Sequence, residues 1–382
     1  MRDYDLSVYG ATGFTGRLVA AYLHGQGVTR WAMAGRSRAK LEEVRDLIGA
    51  PADTPLVVAD ADDPAGLKAM AESTRVVLTT VGPYQLYGEP LIAACVAAGT
   101  AYVDLCGEPA WMRHMIDAHH AAAQASGARI VFSCGFDSIP FDLGVLTLQE
   151  CARAKYGHPA PRVKGRVRSM KGGISGGTAA SLKATLAAAT RDPSMLGLLA
   201  SPFALTPGFS GPHQPTGMLP EFDTTLNTWV APFIMAAINT KNVHRTNFLL
   251  GHRYGTDFVY DEMMVAGLGD MGKVAAEAIA RLNPLAGNKG PKPGEGPSQE
   301  ERDSGHYDLL FVGLMPDGAR FDAVVTGDRD PGYGSTSKMI AETARCLLDT
   351  DGAGGVWTPG ALLGTTLRDR LQDKAGLTFT AG

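Results

Sequence analysis

Leu6–Gly16, LSVYGATGFTG, is the stretch that decides the fold. Leu6 to Tyr9 has the short apolar run of a buried strand, and Gly10, Gly13 and Gly16 lead into an amphipathic segment carrying Leu18, Val19, Tyr22 and Leu23. Strand, glycine turn and helix in that order form the phosphate cradle of a dinucleotide site. The glycines allow a tight turn and close approach to a pyrophosphate, and the helix N-terminus offers free N–H groups and a partial positive charge. Gly10, Thr12, Gly13, Phe14, Thr15 and Gly16 are therefore candidate cofactor contacts.

Outward from this stretch, strands and helices alternate to about residue 135. Further strands are expected at Trp31–Ala34, Leu56–Ala59, Arg75–Val81, Tyr102–Leu105 and Ile130–Ser133, a pattern that builds a doubly wound, Rossmann-type parallel sheet. The second strand ends in Gly35-Arg36-Ser37-Arg38, with Lys40 on the next turn. An acidic residue there would accept from a ribose 2′-OH, whereas a guanidinium and a hydroxyl suit a 2′-phosphate, so Arg36, Ser37 and Lys40 favour NADP(H) over NAD. Asp60 ends the third strand on the adenine side.

Ligands of open α/β sheets lie outside the carboxyl ends of the strands. Val81-Gly82-Pro83-Tyr84, Cys106-Gly107 and Gly135-Phe136-Asp137-Ser138 end three strands on that edge. Val81, Gly82, Pro83, Cys106 and Gly107 are candidate contacts to the nicotinamide half, and Tyr84, Asp137 and Ser138 are the candidate catalytic residues, as proton donor or substrate anchor. None of the eleven tyrosines is followed four positions later by lysine, so the tyrosine–lysine pair of short-chain dehydrogenases is missing.

The character of the chain changes after Gly135. A helix from Asp142, an alternating strand at Val163–Met170, a glycine-rich turn, an apolar but proline-broken region from Asp192 to Thr246, and a hairpin through Asp317-Gly318 predict a second, α+β domain. The apolar stretches Met195–Leu205 and Trp229–Ile238 suit the walls of a greasy cavity or an interface, being too short to span a bilayer. The expected boundaries are 1–136 for the dinucleotide domain, completed by about 335–382, and 137–334 for a substrate or dimerisation domain with a mobile surface loop near 286–306. Gly173-Ile174-Ser175-Gly176-Gly177 matches G-x-S-x-G, but beside a dinucleotide fingerprint its surplus glycines suit backbone contacts better than a hydrolase nucleophile. Ser175, Gly176 and Gly177 are accordingly candidate substrate-binding residues.

A net charge of -4 gives no electrostatic argument for nucleic acid. Five widely spaced cysteines argue against a disulfide framework, the histidines lack metal-ligand spacing, and the strand pattern starting at once after Met1 leaves no room for a leader, so a cytoplasmic protein without a metal is expected.

Taken together, YGATGFTG, AGRSRAKLEEV, VVLTTVGPYQLYGEPLIAACVAAGTAYVDLCGE, GARIVFSCGFDSIPFDLG, GGISGGT and GGVWTPGALLG resemble the saccharopine dehydrogenase-like oxidoreductases, in the branch called trans-acting enoyl reductases. The resemblance implies an NADP-binding Rossmann domain, a second domain with a mixed sheet, and C-terminal helices that return to the first. It further implies reduction of a C=C bond in an apolar, lipid-like or polyketide-type substrate held by a partner synthase. With the β-rich second domain it is compatible with a homodimer, and it leaves peripheral membrane contact open. A saccharopine dehydrogenase-like imine or carbonyl reductase and a non-catalytic NADP-binding scaffold are the alternatives.

Overall fold

The computed structural model describes residues 2–172, 194–282 and 294–382. Ser175, Gly176, Gly177 and the G-x-S-x-G turn lie outside the described residues.

The first sheet has seven parallel strands: β1 (Tyr4–Tyr9), β2 (Trp31–Gly35), β3 (Leu56–Val58), β4 (Thr74–Thr79), β5 (Ala101–Val103), β6 (Arg129–Val131) and β13 (Gly355–Trp357). Their order, β13-β6-β5-β4-β1-β2-β3, reverses between β1 and β4. That reversal opens the crevice in which doubly wound sheets hold ligands. β2 is buried along its whole length, as expected of an inner strand covered on both faces. The connecting helices are α1 (Phe14–Gly25), α2 (Arg38–Leu47), α3 (Pro64–Ser73), α4 (Tyr84–Ala98) and α5 (Pro109–Ser126). Asp63 caps α3 by accepting from the Ala65 N–H, with Pro64 in the first turn, so that capping signal was legible.

The second sheet is mixed, ordered β14-β12-β11-β7-β10-β9-β8. Its strands are β7 (Arg162–Lys171), β8 (Glu221–Asp223), β9 (Thr228–Pro232), β10 (Val259–Gly267), β11 (His306–Leu314), β12 (Arg320–Gly327) and β14 (Leu377–Ala381). β7 and β10 run parallel and the other neighbours antiparallel. The β11–β12 hairpin turns through Asp317-Gly318, with Gly318 at φ 86° and the Asp317 carboxylate accepting from Ala319. The basic residues that alternate along β7 form a buried ion-pair network. Arg166 meets Asp223 and Asp261 at 2.8 Å each, Lys164 meets Asp223 at 3.0 Å, and Arg162 pairs with Asp261.

Within 335–382, expected to complete the first domain, β13 does join the first sheet as an edge strand, whereas the last strand, β14, pairs with β12 in the second. The apolar residues of the proline-broken region build core: Phe203, Leu205, Val230, Ala231 and Phe233 are buried. Phe203 and Leu205 meet helix α8 (Ala236–Leu249) at His244 and Arg245; this helix follows the short helix α7 (Ser194–Ala200) and buries Asn239, Asn242, His244, Arg245 and Asn247.

Helix α6 (Ile139–Tyr156) joins the two sheets, burying residues along both its faces. A Cβ on Gly144 would overlap the fully buried Phe311 ring of β11. Overpacking costs about 1–3 kcal/mol, against roughly 1 kcal/mol that alanine gains over glycine in a helix. We therefore expect Gly144→Ala to lower the urea midpoint of unfolding, by up to about 2 kcal/mol of stability; a higher midpoint contradicts this packing.

Candidate functional site

The glycine turn is built by contact. Gly10 adopts φ 88°, and a Cβ there would stand 2.8 Å from Val81 Cγ2 and 2.9 Å from Thr80 Oγ1. A Cβ on Gly16 would overlap the Gly10 carbonyl. The first turn of α1 can thus lie against the end of β1 only because these positions lack side chains. Gly13 caps α1 with no side-chain hydrogen bond, and no acidic residue occupies the first turn. The first N–H groups of α1 are left for an anion.

Helix α4 presents the opposite case. Its cap is Pro83, which has no capping side chain, and the buried Glu108 carboxylate supplies the missing acceptor to the N–H groups of Tyr84 (3.0 Å) and Gln85 (2.8 Å). A carboxylate is already seated at that helix N-terminus, whereas the N-terminus of α1 carries none.

The ends of β1, β2 and β3 converge on Tyr9. Burial pushes its hydroxyl up to about 12, Asp60 and Asp62 add to the effect and Arg36 opposes it. Arg36 and Lys40 are exposed and Asp60 is half-buried. Ser37 caps α2, its hydroxyl accepting from the Lys40 N–H at 3.4 Å. The capping bond uses a lone pair and leaves the Ser37 O–H free to donate.

Segment 294–303 lies over the start of α1. Arg17 donates to the Gly294 carbonyl at 2.8 Å, the Gly296 backbone presses on the Phe14 ring, and the Arg302 guanidinium sits 5.6 Å from that ring, whose other neighbour is Tyr333 at 5.2 Å. A short helix, α9 (Gln299–Asp303), is closed by a capping box between Ser298 and Glu301. The loop expected near 286–306 is therefore docked over its described part, because Phe14 gives it an aromatic face to pack on.

At the ends of β4, β5 and β6 the expected residues are present with unequal freedom. Tyr84 is buried, and its hydroxyl accepts from the Leu105 N–H at 3.0 Å and faces the Thr79 carbonyl at 3.4 Å. Burial, then Asp104 and Cys106, hold it well above the ordinary tyrosine range. Cys106 is fully buried, its sulfur accepting from the Glu108 N–H, so this loop presents its backbone and the exposed Gly107. Ser138 is buried, and its Oγ accepts from Asn242 Nδ2 at 2.9 Å. Asp137 is only half-buried, yet its Oδ1 is sealed from water and has no hydrogen-bond partner; burial pushes the carboxyl up to about 7.

Several residues of this edge escaped the sequence reading. Asp104 is buried and accepts from the N–H groups of Cys106 (3.0 Å) and Ser133 (2.9 Å) and from the Tyr102 hydroxyl (3.0 Å). Glu108 has been described above. From the other sheet, Glu262 accepts from Tyr260 Oη and Asn239 Nδ2, each at 2.9 Å, and Asp137 raises its pKa, so this cluster and the Asp137 turn share one junction. A carboxylate directly after an apolar strand, as in Val103-Asp104, was a usable signal; Asn239, Asn242 and Glu262 carried none. Among the described residues no three His, Cys, Asp or Glu side chains are grouped as metal ligands, and no helix is long and apolar enough to cross a membrane.

Burial, first among the causes, pushes Asp104, Asp137 and Asp142 up to about 7 and Glu262 up to about 8. Their raised folded pKa values mean that the folded protein holds these protons more tightly than the unfolded chain. The resulting stabilisation is complete below about pH 4 and is lost as pH rises through about 7 to 8. Tm should therefore fall between about pH 5.5 and 8.5, and fall less steeply in Glu262→Gln. A Tm that rises over this range contradicts the assignment.

With this geometry in place, the comparisons with known proteins can be read. Residues 6–131 match the saccharopine dehydrogenase NADP binding domain. The chain is 42% identical, over 97% of its length and 96% of the relative's, to a Mycobacterium tuberculosis protein that carries the name trans-acting enoyl reductase provisionally. It is 37% identical, over the same shares, to the trans-acting enoyl reductase of Mycobacterium leprae. Among solved structures it resembles apo saccharopine dehydrogenase (L-Glu forming) of Saccharomyces cerevisiae with a TM-score of 0.55 at 11% identity, covering 99% of this chain and 100% of that one. A Mycobacterium smegmatis amine dehydrogenase gives 0.50 at 15% identity, over 94% and 96%. At these identities the structures speak for the fold alone.

Proposed function

Since this chain belongs to the trans-acting enoyl reductase family of saccharopine dehydrogenase-like oxidoreductases, we propose that it reduces a substrate C=C bond with NADPH at the junction of its two sheets. The observation that carries the site is Asp137, a partly exposed acid with one sealed, unpartnered oxygen on the strand edge that also holds the glycine turn. The enzyme is an NADP-dependent oxidoreductase, and its residues fit the cofactor. The uncapped N-terminus of α1 and the Gly10–Gly16 cradle hold the pyrophosphate, with Thr12, Gly13, Phe14 and Thr15 along the turn. Arg36, Ser37 and Lys40 hold the 2′-phosphate, Asp60 lies on the adenine side, and Val81, Gly82, Pro83, Cys106 and Gly107 border the nicotinamide half.

When bound, NADPH supplies a hydride to one carbon of the C=C bond. The carboxylic acid of Asp137 gives its proton to the other carbon, and the carboxylate it leaves regains a proton from solvent. Near pH 7 about half of such a group is protonated, which suits a general acid. Ser138, which receives Asn242, positions the adjoining acid, and Tyr84, whose hydroxyl spans the ends of β4 and β5, holds the neighbouring rim on which the substrate is anchored.

The substrate in this reading is an apolar, lipid-like or polyketide-type enoyl group presented by a partner synthase in the cytoplasm. An amino-acid substrate is less well served. The buried cations of α8 point mainly at the backbone, Lys241 donating to Ala237 and Arg245 to Leu205 and Val356, with Arg245 Nε left open.

Two measurements test this reading. Arg36→Ala should weaken NADPH binding about ten- to a hundredfold while leaving NADH within about twofold, since charge-assisted hydrogen bonds contribute roughly 1.5–3 kcal/mol. Equal losses for both nucleotides contradict the role of Arg36. Asp137→Asn should lower kcat on an enoyl thioester roughly 100- to 10,000-fold with NADPH affinity within about threefold. Retained turnover removes Asp137 as the acid, and no turnover of enoyl thioesters by the wild-type enzyme removes the enoyl reading.

A further inference from the structure

Where the Asp137–Ser138 turn meets α8 and β10, five polar side chains are almost wholly buried: Ser138 (2% exposed), Asn239 (0%), Asn242 (1%), Tyr260 (1%) and Glu262 (1%). Gly165 of β7 makes room for two of them, because a Cβ there would stand 2.8 Å from Tyr260 Oη and 3.0 Å from Glu262 Cγ. Three hydrogen bonds tie this pocket together: Tyr260 and Asn239 donate to Glu262, and Asn242 donates to Ser138. Three acceptors are left open: Asp137 Oδ1, Asn239 Oδ1 and Asn242 Oδ1 are sealed from water with no partner. Three oxygens in that state are unusual, because buried polar atoms are almost always paired and an unpaired one destabilises the fold. Rotating either amide exchanges its open oxygen for an open NH2 and leaves one group per side chain unsatisfied. The nearby cations of α8 point elsewhere, to backbone carbonyls.

We propose that Asn239, Asn242 and Asp137 form a donor-reading subsite, in which their open oxygens accept hydrogen bonds from N–H or O–H groups of the bound ligand. Asn239 and Asn242 are then specificity-determining residues that no motif announces. This deepens the enoyl reductase reading and rests on it for the location of the reacting groups. Two ligands bring donors of this kind: the nicotinamide carboxamide of the cofactor, and the amide N–H groups of a pantetheine-type thioester arm. A ligand without the donor buries the acceptors unpaired, which is how such sites discriminate.

The test uses the full-length wild-type protein, Asn239→Leu and Asn242→Leu, with serine replacements in place of any leucine variant that does not fold. Binding of NADP+ and of its 3-acetylpyridine analogue, which carries a methyl where the amide nitrogen stands, is followed by protein fluorescence. Turnover is compared for crotonyl-pantetheine and S-ethyl thiocrotonate. If the cofactor is the source, wild type prefers NADP+ at least about tenfold and the folded variants lose that preference. If the substrate is the source, the nucleotides bind alike, and the kcat/KM preference for the pantetheine thioester falls at least about tenfold in the variants. The proposal is overturned if wild type shows neither preference, or if variants with wild-type Tm keep both. Should wild type bind nucleotide and reduce no thioester, the enoyl reading fails separately, and the nucleotide comparison alone decides the subsite.

Discussion

Backbone N–H groups at the carboxyl ends of the central strands have to find acceptors without filling the crevice they border. Everything at this edge follows from how that constraint is met. Asp104 takes the N–H groups of Cys106 and Ser133 and so ties the ends of β5 and β6 together. Glu108 reaches back to cap α4, and the Tyr84 hydroxyl receives Leu105. With these groups satisfied from behind, Gly107 and the Asp137 turn stand at fixed places on the rim. Of the two helices that begin at the crevice from β1 and β4, α1 has no side-chain cap and α4 is capped by Glu108.

How far the sequence carried depends on whether a residue's role is local. Strand, glycine turn and helix are neighbours along the chain, so this unit was legible from Leu6–Gly16, as was the hairpin from Asp317-Gly318. Asp63 before Pro64 announced α3 for the same reason. The carboxylates that shape the crevice work across elements. Glu108 caps a helix that starts 24 residues earlier, and nothing within either segment records the pairing.

Helix α8 shows the harder failure. AAINTKNVHRTNFL has polar residues around its whole circumference and no apolar stripe, because it lies inside the molecule, where some of its polar groups are met by other elements and Asn239 Oδ1 and Asn242 Oδ1 are left open. Periodicity reports a contrast between a dry and a wet face, and a helix with no wet face gives no such contrast. The residues proposed to read the ligand sit on this helix and were invisible for that reason. The apolar segment before it was noticed, but as cavity wall rather than as the core that α8 requires.

The order in which the chain visits its two sheets bears on its birth. β6 lies next to β13, so the first sheet keeps a bare edge until residue 357 has left the ribosome, although its other six strands are complete by residue 131. The second sheet waits longer, since β14 ends at Ala381. An unpaired edge is a template for other chains. β6 stands as such an edge until β13 follows it more than two hundred residues later, and β12 does so until β14 arrives.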